Sequence, residues 1–188
     1  MILRELRLPG TFEIQMPCVA DNRGSFTKTF NLSSFAVHGL QTNFCETFYT
    51  VSNAKVLRGM HFQVPPHDHS KLVYCISGRV LDIALDLRVG SPSYGQHESL
   101  ELDASLCNAA YLPSGIAHGF AVLDAPAVMA YHVSSEHSRS ADAGVHWNSF
   151  GAKWPSYLPV LSARDTALPE FERFTSPFRF EQRLATAK

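Results

Sequence analysis

A chain of 188 residues, 45% hydrophobic and 18% charged, suits one globular domain that can bury its own core. A net charge of −1 excludes the basic excess of a general nucleic-acid binder, but leaves room for a small basic pocket for a phosphorylated ligand. No apolar run approaches the roughly 20 residues of a membrane-spanning helix, and the four cysteines lack the CxxC spacing of zinc or redox motifs.

The first residues, Met1 to Arg7, interrupt their apolar positions with charges, so no signal-peptide core is expected. The expectation is a cytoplasmic protein with reduced thiols at Cys18, Cys45, Cys75 and Cys107. From residue 10 to 135, short apolar runs alternate with turn residues, the pattern of an all-β sandwich or barrel. Val56 to Gln63 reads as a strand. Strict alternation would put Arg58 and His61 on opposite faces, whereas a bulge at Gly59 would put them on one. The pair is then either a pocket suited to an anionic ligand and proton transfer, or a surface arginine and a core histidine.

Lys71 to Ile76, Ser77-Gly78, and Arg79 to Leu87 read as a hairpin with a two-residue loop, pairing Val73 with Asp82 and Lys71 with Ala84. Leu72, Tyr74, Ile76, Leu81, Ile83, Leu85 and Leu87 share one face, which packs. Lys71, Val73, Cys75, Val80, Asp82, Ala84 and Asp86 share the other. That mixture fits a polar cavity wall or a solvated outer face. Residues 107 to 123 read as strand, Pro-Ser-Gly turn and strand, and Ala127 to Val133 as another strand. Ser162 followed by Asp165 resembles a helix start, and Glu170 to Phe174 is helical in character. A short helical cap beside the barrel is expected over 156–188.

Nine histidines supply candidates for chemistry near neutral pH. His67-Asp-His69 and His118, after Pro113-Ser-Gly115, are spaced like the metal ligands of cupin barrels. The usual carboxylate ligand is missing, since Leu72, Val73 and Tyr74 fill its place. Tyr131 opens a polar stretch, where a phenol could donate a proton or simply stack.

In this order and spacing, Asp21-Asn-Arg23-Gly-Ser-Phe26, Val56-Leu-Arg-Gly-Met-His-Phe-Gln63, Lys71-Leu-Val73, Leu81 to Pro92, Leu112 to Phe120, Tyr131, Gly144 to Trp147, Trp154-Pro155 and Leu161 to Asp165 resemble the dTDP-4-dehydrorhamnose 3,5-epimerase family. The resemblance implies a single cupin-type jelly-roll β-barrel over 1–188. It implies an epimerase acting at C3, C5 or both of a nucleotide-linked 4-keto-6-deoxyhexose, without metal or cofactor. It gives His61 as the base, Asp165 as its carboxylate partner, Tyr131 as the opposite-face acid and Lys71 as the cation near the enolate oxygen. Arg58 resembles the diphosphate ligand. Arg23 and Phe26 resemble the motif that closes the nucleotide site, often from a partner subunit. Asp82, His118 and Gln63 match the pocket lining. A homodimer with exchanged N-terminal strands, within residues 1–50, is implied. The family commonly carries Gln, Asp and Asn where this chain has Glu46, Thr47 and Phe48, and Gln at the place of His69. These departures point to a changed sugar or nucleotide, CDP and GDP included, with Glu46 on a sugar hydroxyl. A 3,4-ketoisomerase, a sugar-binding cupin without catalysis and a metallocupin are the competing readings.

Overall fold

The structure, a computed structural model, describes residues 1–181. Its strands are β1 (Ile2–Glu5), β2 (Phe12–Gln15), β3 (Cys18–Asp21), β4 (Gly24–Thr27), β5 (Glu46–Ser52), β6 (Leu57–Gln63), β7 (Lys71–Asp86), β8 (His97–Asp103), β9 (Asn108–Leu112), β10 (Ile116–Val133) and β11 (Asp142–Gly144). Two short helices, α1 (Leu32–Val37) and α2 (Ala163–Thr166), and a 3-10 turn at Phe171–Arg173 complete it. Among the described residues, no helix is long and apolar enough to cross a membrane.

Two long antiparallel strands organise the jelly roll. The first part of β7, Lys71 to Tyr74, lies between β9 and the end of β10; its second part, Arg79 to Leu85, lies between β8 and the start of β10. Both strands therefore belong to two sheets. One runs β1-β2-β9-β7-β10-β5, the other β8-β7-β10-β6-β11. The pairing slips where they bend, between Val122 and Met129 of β10. At the bend Gly78 has φ +77°, and a Cβ there would lie 2.5 Å from the Asp124 carbonyl oxygen.

This corrects the expected hairpin. Lys71 to Ile76 does not fold back on Arg79 to Leu87. Ser77-Gly78 is a corner at which one strand passes from sheet to sheet, because neighbouring strands supply its partners. The division of faces survives, since a corner preserves inside and outside. Val73, Cys75, Val80 and Ala84 pack with Phe120, Met129 and Tyr131 between the sheets. Leu72 packs outward with Phe35 and Tyr111. Ile83, Leu85 and Leu87 pack outward with Phe62 and Phe178. Ile76 alone departs, at 56% exposure.

The C-terminal cap forms as expected within the described residues; 182–188 of the 156–188 segment lie outside them. Val160 bridges Val56 in parallel, and Phe174 and Phe178 pack edge-on against Phe62. Ser162 caps α2, its Oγ accepting from the Asp165 amide at 3.0 Å. Helix α1 was not anticipated. Its six residues are too few for a helical period, and it is held by the Asn31 cap and by buried Phe35 against Tyr111.

Candidate active site

The bulge in β6 builds the site. His118 of β10 faces His61 and Phe120 faces Arg58, so Gly59 and Met60 together oppose Gly119 alone. Arg58 and His61 consequently line the same cavity, of about 360 Å³, between the sheets. The bulge depends on two missing side chains. Gly59 sits at φ +135°, where a Cβ would come within 2.5 Å of Gly119 Cα, and a Cβ on Gly119 would lie 2.8 Å from the Arg58 carbonyl oxygen.

His61 Nε2 lies 2.6 Å from Asp165 Oδ1. With Nε2–H donating to the carboxylate, Nδ1 carries the free lone pair. The imidazole is 28% exposed and the carboxylate 4%. Burial lowers the affinity of His61 for a proton; Asp165 opposes that, while Arg164 and Lys71 add to it, and the net shift is below the ordinary histidine value. His61 is therefore neutral, and able to accept a proton, at pH 7. Burial works against ionisation of Asp165, but the His61 and Ser162 hydrogen bonds and the Arg164 charge hold its carboxyl below the usual value.

Lys71 is buried, and its Nζ donates to the His61 carbonyl oxygen at 2.9 Å. Burial pushes its ammonium down to about 8, with Asp82 and Asp142 resisting, so it remains a cation at pH 7. Tyr131 is buried on β10, stacked on Phe48 at 4.8 Å with ring planes 12° apart, and edge-on to His118 at 6.0 Å. Burial pushes its phenol well above the ordinary tyrosine value. Arg58 is fixed by Nε to Ser52 Oγ (3.0 Å) and by Nη2 to the Val51 carbonyl (3.2 Å). Among the described residues Nη1 makes no hydrogen bond, which leaves an edge of the guanidinium for an anion.

Several sequence expectations change. Asp82 does not line the cavity; it lies behind His118, accepting from Nε2 at 2.6 Å, and both are almost wholly buried. Gln63 lines the cavity but is consumed by the loop over it. Its Nε2 donates to the carbonyls of His67 and Glu136, and its Oε1 accepts from the Ser138 amide. Glu46 lines the cavity and accepts from the His137 amide at 2.8 Å. Arg23 and Phe26 stand outside it, on the two-stranded β3–β4 arm, where Phe26 is 66% exposed. The three histidines spaced like metal ligands are not gathered. His118 is committed to Asp82 and His69 bonds Gln63 and Ser135, and among the described residues no group of three or more His, Cys, Asp or Glu is placed to hold an ion. Sequence reading missed Thr50, Asp142 and Arg164 in the wall. Only the adjacency of Arg164 to Asp165 could have flagged one of them.

A family model described as dTDP-4-dehydrorhamnose 3,5-epimerase matches residues 5–173. The chain belongs to this family. It is a nucleotide-sugar epimerase, an isomerase. The dTDP-4-dehydrorhamnose 3,5-epimerase of Salmonella typhimurium is 35% identical over 173 residues, covering 90% of this chain and 94% of the relative. A dTDP-4-dehydrorhamnose 3-epimerase of Streptomyces niveus is 37% identical over 168 residues, covering 88% and 81%. The dTDP-6-deoxy-D-glucose-3,5-epimerase of Legionella pneumophila, solved with dTDP-4-keto-L-rhamnose, superposes with a TM-score of 0.91 at 26% identity, covering 96% of this chain and 99% of that one. Family and fold thus meet the sequence expectation.

Proposed function

We propose that this epimerase inverts C3, C5 or both of a dTDP-linked 4-keto-6-deoxyhexose, with His61 removing the proton and Tyr131 returning one from the opposite face. The observation that carries this reading is His61 on one sheet, its Nε2 held by Asp165, with the phenol of Tyr131 on the other sheet and the cavity between them. The 4-keto group acidifies the C3 and C5 protons, so the chemistry needs no cofactor. The cation of Lys71 stabilises the enolate oxygen, where fixed charge lowers the barrier most. Asp165 stabilises the imidazolium that forms. Arg58 binds the diphosphate, and His118, held by Asp82, bounds the sugar site. Glu46 takes a sugar hydroxyl, because a carboxylate beside a diphosphate would repel it.

The β3–β4 arm carries Arg23 and Phe26 away from their own cavity. We infer a homodimer in which this arm closes the partner's nucleotide site. Sedimentation should give twice the chain mass, and Arg23→Ala should raise KM without lowering the melting temperature. The four free cysteines accord with a cytoplasmic enzyme.

The deciding experiment incubates the enzyme in deuterated buffer with dTDP-4-keto-6-deoxyglucose and follows C3 and C5 by NMR. Deuterium entering either carbon, with inversion, is the expected result. Exchange only with CDP or GDP substrates would move the assignment to another nucleotide. No exchange with any of the three would sink it, and a keto group moved to C3 would mark an isomerase.

A further inference from the structure

The inward face of β5 presents Glu46, Phe48, Thr50 and Ser52 at alternate positions. Ser52 holds Arg58 and Glu46 holds the His137 amide. Between them Phe48 stacks on Tyr131, and only Thr50 is left without a partner. The Thr50 hydroxyl is shut off from solvent and makes no hydrogen bond. Leaving a buried hydroxyl unpaired costs about 1–3 kcal/mol, so its retention in a cavity wall asks for a use. Tyr131 stands opposite Phe48, and Met129 opposite Thr50, so Thr50 is the diagonal neighbour of Tyr131 on the same inward face.

We propose that Phe48 and Thr50 are positioning residues for Tyr131: Phe48 fixes the plane of its ring, and Thr50 donates a hydrogen bond to its oxygen as the proton leaves. The inference rests on Tyr131 being the acid. In that step the Tyr131 O–H bond breaks and a C–H bond forms at the enolate carbon. The enolate electrons supply that bond as the C4 carbonyl re-forms, and the phenolic oxygen keeps the O–H pair. The phenolate so made is buried, where an unsupported charge is costly. Thr50 keeps its own proton throughout and supports that charge. The phenolate regains a proton from water as product leaves. At rest the Thr50 hydroxyl makes no formed hydrogen bond to the phenol, but it lies near enough to oppose the burial-driven rise in its proton affinity.

The test uses Thr50→Val, Thr50→Ser, Phe48→Ala and Phe48→Tyr with dTDP-4-keto-6-deoxyglucose in deuterated buffer. The quantity read is the ratio of inverted product to deuterium washed in with retained configuration. Wash-in needs only His61; inversion needs Tyr131 as well. Thr50→Val and Phe48→Ala should lower the ratio about tenfold or more, the scale of one hydrogen bond, with KM little changed. Thr50→Ser and Phe48→Tyr should restore it. An unchanged ratio in Thr50→Val would overturn the proposal, as would a raised KM at an unchanged ratio, which would assign Thr50 to the sugar. Should Phe48→Ala not fold, the near-isosteric Thr50→Val decides alone. A wild type without exchange overturns both this inference and the His61 reading; a wild type that exchanges beside an unaltered Thr50→Val overturns only the inference.

Discussion

His61 and His118 face each other across β6 and β10, and each places Nε2 at 2.6 Å from a carboxylate oxygen. The two pairs differ in access. His61 is 28% exposed, against 4% for His118, so only the first imidazole readily exchanges protons with solvent. Asp165→Asn should therefore cut deuterium exchange about 10²–10⁴-fold with KM little altered. An asparagine amide can donate to Nε2 and drive the proton onto Nδ1, which blocks the base. Full exchange by Asp165→Asn would remove the carboxylate from the mechanism.

The pH profile of kcat/KM should be bell-shaped. His61 must be neutral, and its proton affinity is lowered, so the acid limb falls below the ordinary histidine value of 6.5. Lys71 must be cationic, so the alkaline limb falls near about 8. Lys71→Arg, which does not titrate in this range, should remove the alkaline limb whatever its absolute rate. A limb near 8 that persists in this variant belongs to another group.

Lys71 should also cost the fold stability. Its affinity for a proton drops from 10.5 to about 8 on folding, a penalty of up to about 3 kcal/mol at pH 7. The unfolded chain holds that proton more tightly. The penalty is therefore complete below pH 8 and fades as pH rises from 8 towards 10.5. Lys71→Met should melt higher than wild type at pH 7 while losing activity, and the gain should shrink at pH 10. A lower melting temperature at pH 7 would show that the hydrogen bond to the His61 carbonyl outweighs the burial of charge.

His69 gives a pH signature of the same sign in a lower window. Burial, with Lys71 and His137 nearby, lowers its proton affinity from 6.5 to about 3. The unfolded chain binds this proton first, so stability present above pH 6.5 is lost progressively as pH falls towards 3. His69→Gln keeps an acceptor for Gln63 and cannot titrate. Its melting temperature should exceed that of wild type increasingly between pH 6.5 and 4. Parallel curves would place the acid sensitivity elsewhere.

Gly59→Ala should be among the most damaging single-methyl additions. Its Cβ would meet backbone at 2.5 Å, at a φ that side chains rarely adopt, so a loss of about 3 kcal/mol or more is expected in denaturant melts. A stable Gly59→Ala with normal activity would mean that the bulge can relax without separating Arg58 from His61.

Much of this was legible in the sequence because it was local or patterned. The inward and outward faces of β7 followed from alternation alone. The Ser162 cap and the Gly59 bulge were visible as residue types. The hairpin at Ser77-Gly78 was misread because local turn chemistry cannot distinguish a reversal from a corner; strands far along the chain decide that. Asp82 was misplaced by one layer, since its pairing with His118 spans 36 residues. Thr50 was missed because β5 mixes polar and apolar residues on both faces. Arg23 and Phe26 could not be located from one chain's pocket, as they sit on an arm that leaves it.

Strand β5 has a consequence of its own. Among the described residues it pairs only with β10, at the margin of its sheet, and its seven residues include Glu46, Thr47 and Phe48, where the sequence is expected to depart from the family. The proposed base His61, its carboxylate Asp165 and the buried cation of Lys71 all lie elsewhere. If the proposed roles hold, removal of a proton and its return are separately mutable, and drift along one marginal strand can retool the product without dismantling the base.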